Sequence, residues 1–445
     1  EENKWMDGQE GTPAERAEKR LELVRETIQL GEVIAGLNMC EKLIRRGYEE
    51  ADLDDEACRE VLTEAHFIAC TIRQQLGHWQ AAYVHMDNAI RFCPKAVASS
   101  PAIFYAAGAC CAALAKLPQA MEYFQQCRKL ATKEHYEELP WMRFRLPLST
   151  AQTKLRAGIY GEAMDSLAEA RRAVKDEEEA PQSCEAAVVY FEALGHAAQG
   201  HHVDACQAWA KFATLEKHVD DTMIEEDWKE RYLQRSVKSL LYVAANTPHG
   251  SDPQRALVAK AVEQTGALAA HTPASGSAWW MRADCLRMAR DYEQAYDSYQ
   301  KAAGCEDLKK ELGALHSIHL TSAQCLLAME QAGEAEQSFR EALKLSPKDP
   351  HTLAGLAGVL CEKDAGGLAE AEGLLQSAMD GLKGQTTAER MAARAECTAL
   401  KALCLSRKGA RADEIEKLLQ SALDMDPQNA RAQMLMQSLH DMASE

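Results

Sequence analysis

Apolar and small residues recur along this chain three and four positions apart, in runs broken by short polar turns. Such spacing puts a stripe on one face of a helix. The stretch Leu320 to Pro350 is the clearest case. Ala323 and Leu326 mark one helix, Gln331-Ala332-Gly333 a turn, and Ala335, Phe339 and Ala342 a second helix that Pro347 ends. Small residues on facing stripes let two antiparallel helices approach closely, and Phe339 fills the space beside them.

The same alternation runs from one end to the other. Residues 1–12 (EENKWMDGQEGT) read as a flexible polar leader. Thr12 before Pro13 reads as an N-cap followed by proline at the first helical position. Leu21, Val24 and Ile28 give a first helix, and Gly31 opens a second that Gly47 is expected to close. Leu62, Phe67 and Ile72 pair with Ala82, Met86 and Ala89 across Gly77-His78-Trp79, with Pro94 beyond. Phe104, Gly108 and Cys111 pair with Ala120, Phe124 and Cys127. Pro140 and Pro147 bracket Trp141 and Phe144 and predict a distorted helix start. Ala151 to Ala170 and Ala193 to Phe212 follow, separated by an acidic loop at 176–179. The signature weakens over Trp228 to Ala245, which reads as one helix, and Ala256 to Ala270, which reads as its partner. It sharpens again from Trp279, through Tyr299, Phe339, Leu375 and Leu419, to a closing helix from Asn429.

This recurrence resembles the tetratricopeptide repeat, a helix-turn-helix unit of about 34 residues. The resemblance spans about residues 14–443. It implies an all-α, right-handed superhelical solenoid of antiparallel helix pairs, closed by a C-terminal capping helix. The expected organisation is a leader at 1–12, a partly degenerate N-terminal array at 13–270 and a candidate hinge at 271–277. Further repeats at 278–428 and a cap at 429–445 complete it. Single units cannot bury their apolar faces, so stacked neighbours share the core.

Composition narrows the function. Hydrophobic residues are 47% and aromatics only 6%, which suits closely packed helices. The formal net charge of −18 disfavours general binding of nucleic acid or anionic lipid. Lys42 to Arg46 (KLIRR) is the densest basic stretch and reads as a solvated helix end. No apolar run is long enough to span a bilayer. The 15 cysteines include no Cys-x-x-Cys and sit largely at small-residue positions. They read as reduced packing residues in the cytoplasm or another reducing compartment, such as an organelle matrix.

In the family resembled, the first helix of each unit lines a concave surface. That register assigns the inner face to Tyr105, Ala109 and Ala112, then Leu148, Gln152 and Leu155, then Tyr190, Leu194 and Ala197. The resemblance implies a non-enzymatic interaction scaffold, a structural subunit of a hetero-oligomeric assembly that holds a partner helix or extended peptide in an apolar groove. A free-standing peptide adaptor or co-chaperone-like regulator, and a metal-dependent regulatory module of an enzyme, are the alternatives. Some family members clamp a chaperone C-terminal carboxylate with Lys, Arg and Asn. The matching positions here hold Trp280, Asp284, Leu320 and Gln324, so that clamp is absent. On the closing helix Leu435, Leu439 and Met442 share the packing face, leaving Met434 and Met436 as a second candidate contact. His196, His201 and His202 cluster near Cys206, but at a turn position, and are expected to be ordinary turn residues. No catalytic motif, metal site or cofactor is expected.

Overall fold

A computed structural model describes residues 11–50, 55–92, 100–176, 181–220, 222–224, 227–363, 365–383 and 387–444. The first ten residues, Pro94, the acidic loop at 177–179 and the side chain of Met442 lie outside the described residues. The described chain is α-helical with two single-turn 3-10 segments, and it forms two compact units, residues 1–226 and 227–445.

The first unit holds α1 (Pro13–Gln29), α2 (Val33–Glu50), α3 (Glu56–Gln75), α4 (Trp79–Phe92), α5 (Pro101–Ala113) and α6 (Leu117–Leu130). After them come the short α7 (Lys133–Glu138), α8 (Trp141–Arg156), α9 (Tyr160–Asp176), α10 (Gln182–Ala198) and α11 (His202–Leu215). They pack as the pairs α1/α2, α3/α4, α5/α6, α8/α9 and α10/α11. First helices also touch first helices, from α1 to α3, α5, α8 and α10 in turn, so they share one side of the unit.

The second unit holds α12 (Trp228–Ala245), α13 (Asp252–His271), α14 (Gly276–Met288), α15 (Tyr292–Gly304), α16 (Leu312–Ala328) and α17 (Ala332–Leu345). It continues with α18 (Pro350–Lys363), α19 (Leu368–Gly381), α20 (Ala388–Arg407), α21 (Ala412–Met425) and α22 (Ala430–Ser444). Again they pair in order, and α22 closes the end against α20 and α21.

Local chemistry sets the helix ends. Thr12 accepts from the Glu15 N–H while Glu15 accepts from the Thr12 N–H, and Pro13 follows, as the sequence predicts. Within pairs the turn is nearly constant. One residue takes left-handed backbone, and the next N–H reaches the carbonyl five residues back. His78 bonds Arg73 this way at 2.8 Å, Lys116 bonds Cys111 at 2.8 Å and Gln331 bonds Leu326 at 2.9 Å. Glycine holds the left-handed place at Gly77 and Gly158, but Ala115, Arg290 and Glu330 hold it elsewhere, at φ of 58°, 63° and 62°. The expected turn at Gln331-Ala332-Gly333 therefore lies one to two residues early, at Glu330, and Gly333 is inside α17.

Gly47 does not close α2. The helix runs through it, and a Cβ there would lie 2.4 Å from Leu62 Cδ2, so this glycine permits close approach of α3. Pro140 precedes α8 and Pro147 lies inside it. The 271–277 stretch is a short turn within the second unit. Trp279 Nε1 donates to Pro273 O at 3.0 Å, and the Gly276 N–H donates to the Asp307 carboxylate at 2.9 and 3.0 Å.

Within each unit core residues gather in clusters shared by neighbouring helix pairs. The described cysteines are all free thiols and mostly buried. Burial pushes Cys40, Cys127 and Cys285 up to about 12, so these thiols stay protonated and act as small hydrophobes. Among the described residues no helix is long and apolar enough to cross a membrane.

Candidate functional site

The predicted inner face of the first unit is only partly a surface. Tyr190 is fully buried, with Phe191, Trp209 and Phe212 ring centroids 5.1, 5.7 and 5.4 Å away. It fills the space between α10 and α11. Leu148 is also core, at 2% exposure. The register assigns these two to the groove because it fixes a position along the helix. A large side chain there turns toward the partner helix and leaves water. Ala109, Ala112, Leu155, Leu194 and Ala197 are half-buried.

Three α8 positions at i, i+4 and i+7 organise what remains. Ser149 Oγ hydrogen-bonds Tyr105 Oη at 3.1 Å, and the Tyr105 ring stands edge-on to Trp141 at 5.0 Å. Arg145 donates to Thr222 Oγ1 at 3.3 Å, and Gln152 Nε2 donates to Met223 O at 2.9 Å. The chain beyond α11 thus lies back along the face of α8, with Ile224 buried at 4% exposure. A predicted groove contact, Gln152, is already bonded to a backbone carbonyl of its own chain. The turn after α11 carries no repeat signature, so sequence periodicity could not have indicated this.

An open cleft lies instead on the first-helix side of the second unit. It measures about 440 Å³ and is lined from α16, α18, α20 and the start of α22. Val359, Cys397 and Leu400 form its buried floor, and Ala354, Gly355 and Gly358 line it from α18. Gln324 stands at one end. At the other, Arg431 donates to Glu396 at 2.8 Å and to Glu362 at 3.1 Å, and Asn429 Nδ2 donates to Glu396 at 3.0 Å. Two carboxylates against one guanidinium leave this end net negative. Sequence reasoning missed the site, although Gly355-x-x-Gly358 beside Ala354 was its signal: small residues at i and i+3 on a first helix.

The chaperone-clamp positions have other work. Tyr299 Oη donates to the Asp284 carboxylate, while burial raises the pKa of Asp284. Leu320 packs against the α16–α20 core. On α22, Met434 is 67% exposed, but Met436 packs with Leu435 and Leu439 against α20 and α21. The contact stripe of this closing helix is wider than its i, i+4 pattern, because two helices bound the hollow it fills.

No protein-family model and no curated protein matches the chain. Among solved structures it is similar to yeast Tom70, at 13% identity over 86% of this chain and 88% of that one, with a TM-score of 0.35. It is similar to the C-terminal part of a TPR repeat-containing protein from Cytophaga hutchinsonii, at 12% identity over 64% and 97%, TM-score 0.43. The APC/C hetero-tetramer Cut9-Hcn1 is similar at 15% identity over 96% and 92%, TM-score 0.29. At such scores the likeness is general. The helix pairs, their left-handed turns and the small-residue contacts of this chain show an all-α helical-repeat fold.

Among the described residues one group of potential metal ligands converges: His196, His201 and Asp204. The sequence reading had both histidines but grouped them with His202 and Cys206, and it passed over Asp204.

Proposed function

We propose that the chain is a non-enzymatic protein-interaction scaffold and that the second-unit cleft is its docking site. The observation that carries this reading is the cleft itself. It is concave, floored by Val359, Cys397 and Leu400, and lined by Gly358. Such a floor with a few fixed polar groups suits a segment lying along it. The net negative end at Glu362 and Glu396, in a chain of formal charge −18, favours a segment with small apolar side chains and a lysine or arginine. The occupant is an extended or helical stretch of another protein, and the assembly is hetero-oligomeric. The first-unit face, with Tyr105 and Leu194 still partly open, is a secondary surface, because residues 222–224 already lie along α8.

Panning a displayed random-peptide library against the full chain tests the reading. Selected segments should be apolar with one basic residue. Gln324→Arg and Glu362→Arg, both at exposed positions, should each weaken them by about tenfold or more, a change of about 1.4 kcal/mol, with helicity and melting unchanged. Selected segments that bind both variants as well as the parent chain would refute it.

A further inference from the structure

The turn between α10 and α11 brings together groups that the scaffold reading does not use. His196 lies in the last turn of α10, His201 precedes α11 and Asp204 lies in its first turn. The Schellman closure holds them: the His201 N–H donates to His196 O at 2.9 Å, with Gly200 left-handed at φ 79°. One ring nitrogen from each histidine and one carboxylate oxygen of Asp204 lie within 4.8 Å of one another. The two rings are 6.4 Å apart, centroid to centroid.

A second observation is independent of that spacing. His196 Nδ1 is buried and makes no hydrogen bond. A buried polar atom without a partner costs about 1–3 kcal/mol and calls for an explanation, of which a bound ion is one. Burial also lowers the pKa of His196. Neighbouring His201 and Arg171 lower it further, and Asp204 opposes them.

We propose that His196, His201 and Asp204 bind a divalent first-row transition-metal ion of the zinc class. Two imidazoles and a carboxylate are borderline donors that suit such an ion over calcium or magnesium. Tetrahedral zinc, with ligands at about 2.0–2.1 Å, sets donor atoms about 3.3 Å apart. His201 and Asp204 are exposed, so side-chain rotation closes the remaining gap without moving the backbone. Three protein donors leave a coordination position for water. The site pins the end of α10 to the start of α11, and it stands independently of the second-unit cleft.

The test is a cobalt titration of the full chain after chelator treatment, followed by visible absorption, with zinc as competitor. One equivalent of cobalt should bind saturably and be displaced by zinc, giving ligand-field bands without a thiolate charge-transfer band. His201→Asn and Asp204→Asn, at exposed positions, should each weaken binding by at least about tenfold, whereas His202→Gln should not. Absence of saturable binding overturns the proposal. So does binding that survives the His201→Asn/Asp204→Asn double variant, and so does a thiolate band that Cys206→Ser abolishes.

Discussion

Gly355 meets Phe339 in a close helix contact of the second unit, and it yields a prediction whose sign reverses with the partner. A Cβ on Gly355 would lie 2.4 Å from Phe339 Cε1 and 2.5 Å from Cζ. Carbon atoms in contact sit about 3.5–4.0 Å apart, so the ring would have to retreat by about 1 Å. It has nowhere to go. Phe339 is 1% exposed and packed with Ala323, Leu326, Leu353 and Leu356. Overpacking of this kind costs about 1–3 kcal/mol. Alanine returns about 0.8–1 kcal/mol of helix propensity over glycine, so Gly355→Ala should be neutral to destabilising by about 2 kcal/mol. In a Phe339→Leu background the ring atoms at 2.4 and 2.5 Å are gone. Gly355→Ala should then stabilise by up to about 1 kcal/mol. The coupling between the two sites is about 1–3 kcal/mol. Hydrogen exchange of amides in α17 and α18 measures it, because it reads the repeat rather than the whole array. An equal effect of Gly355→Ala in both backgrounds would show that ring contact is not what requires glycine there.

Two further predictions concern the first unit. Ala115 holds left-handed backbone at φ 58°, where a Cβ costs about 1–2 kcal/mol. After the extra chain entropy of glycine, Ala115→Gly should stabilise by about 0.5–1 kcal/mol in urea unfolding, and a loss of stability would contradict the turn geometry. His66 is 1% exposed, between Tyr48 Oη at 2.6 Å and His85 Nδ1 at 3.0 Å. Burial, aided by His85, lowers its pKa from 6.5 to about 4. His85 is itself lowered by burial and Arg73, against Glu41. Between pH 6.5 and 4 the unfolded chain takes a proton that folded His66 refuses. The contribution is therefore full above pH 6.5 and is lost on acidification, amounting to about 3 kcal/mol by pH 4. His66→Gln should flatten that slope in urea midpoints taken from pH 7.5 to 4.5, and an unchanged slope would sink the assignment.

What the sequence made legible was local, and what it concealed arises between elements. Thr12-Pro13 announces α1 because the capping bonds close within three residues. Trp228 to Ala245 reads as one helix because its apolar period is internal to it, and α12 has those bounds. Gly47 looks like a breaker in the sequence of its own helix, and Gly355 carries no sequence signal of its contact. Leu62 and Phe339, on neighbouring helices, make them contact points. Glu330 hides a turn because nothing in glutamate signals left-handed backbone; only the bond from Gln331 to Leu326 does.

The same division governs the candidate sites. Repeat register says which helix lines the inner side; in the first unit the first helices do share a side, and in the second α16, α18, α20 and the start of α22 line one cleft. It does not say what lies on that side. Tyr190 shares its register with Leu194, yet Trp209 and Phe212 draw its ring into the core. Gln152 was placed on the inner face, where the backbone of Met223 now meets it. Periodicity is a property of segments that repeat, and 222–224 does not repeat. The occupant of a repeat groove is thus the part of such a protein that its repeat pattern is least able to reveal. Asp204 escaped notice for a related reason. His196, His201 and Asp204 become neighbours only once the α10 carbonyl at His196 has captured the His201 N–H and reversed the chain.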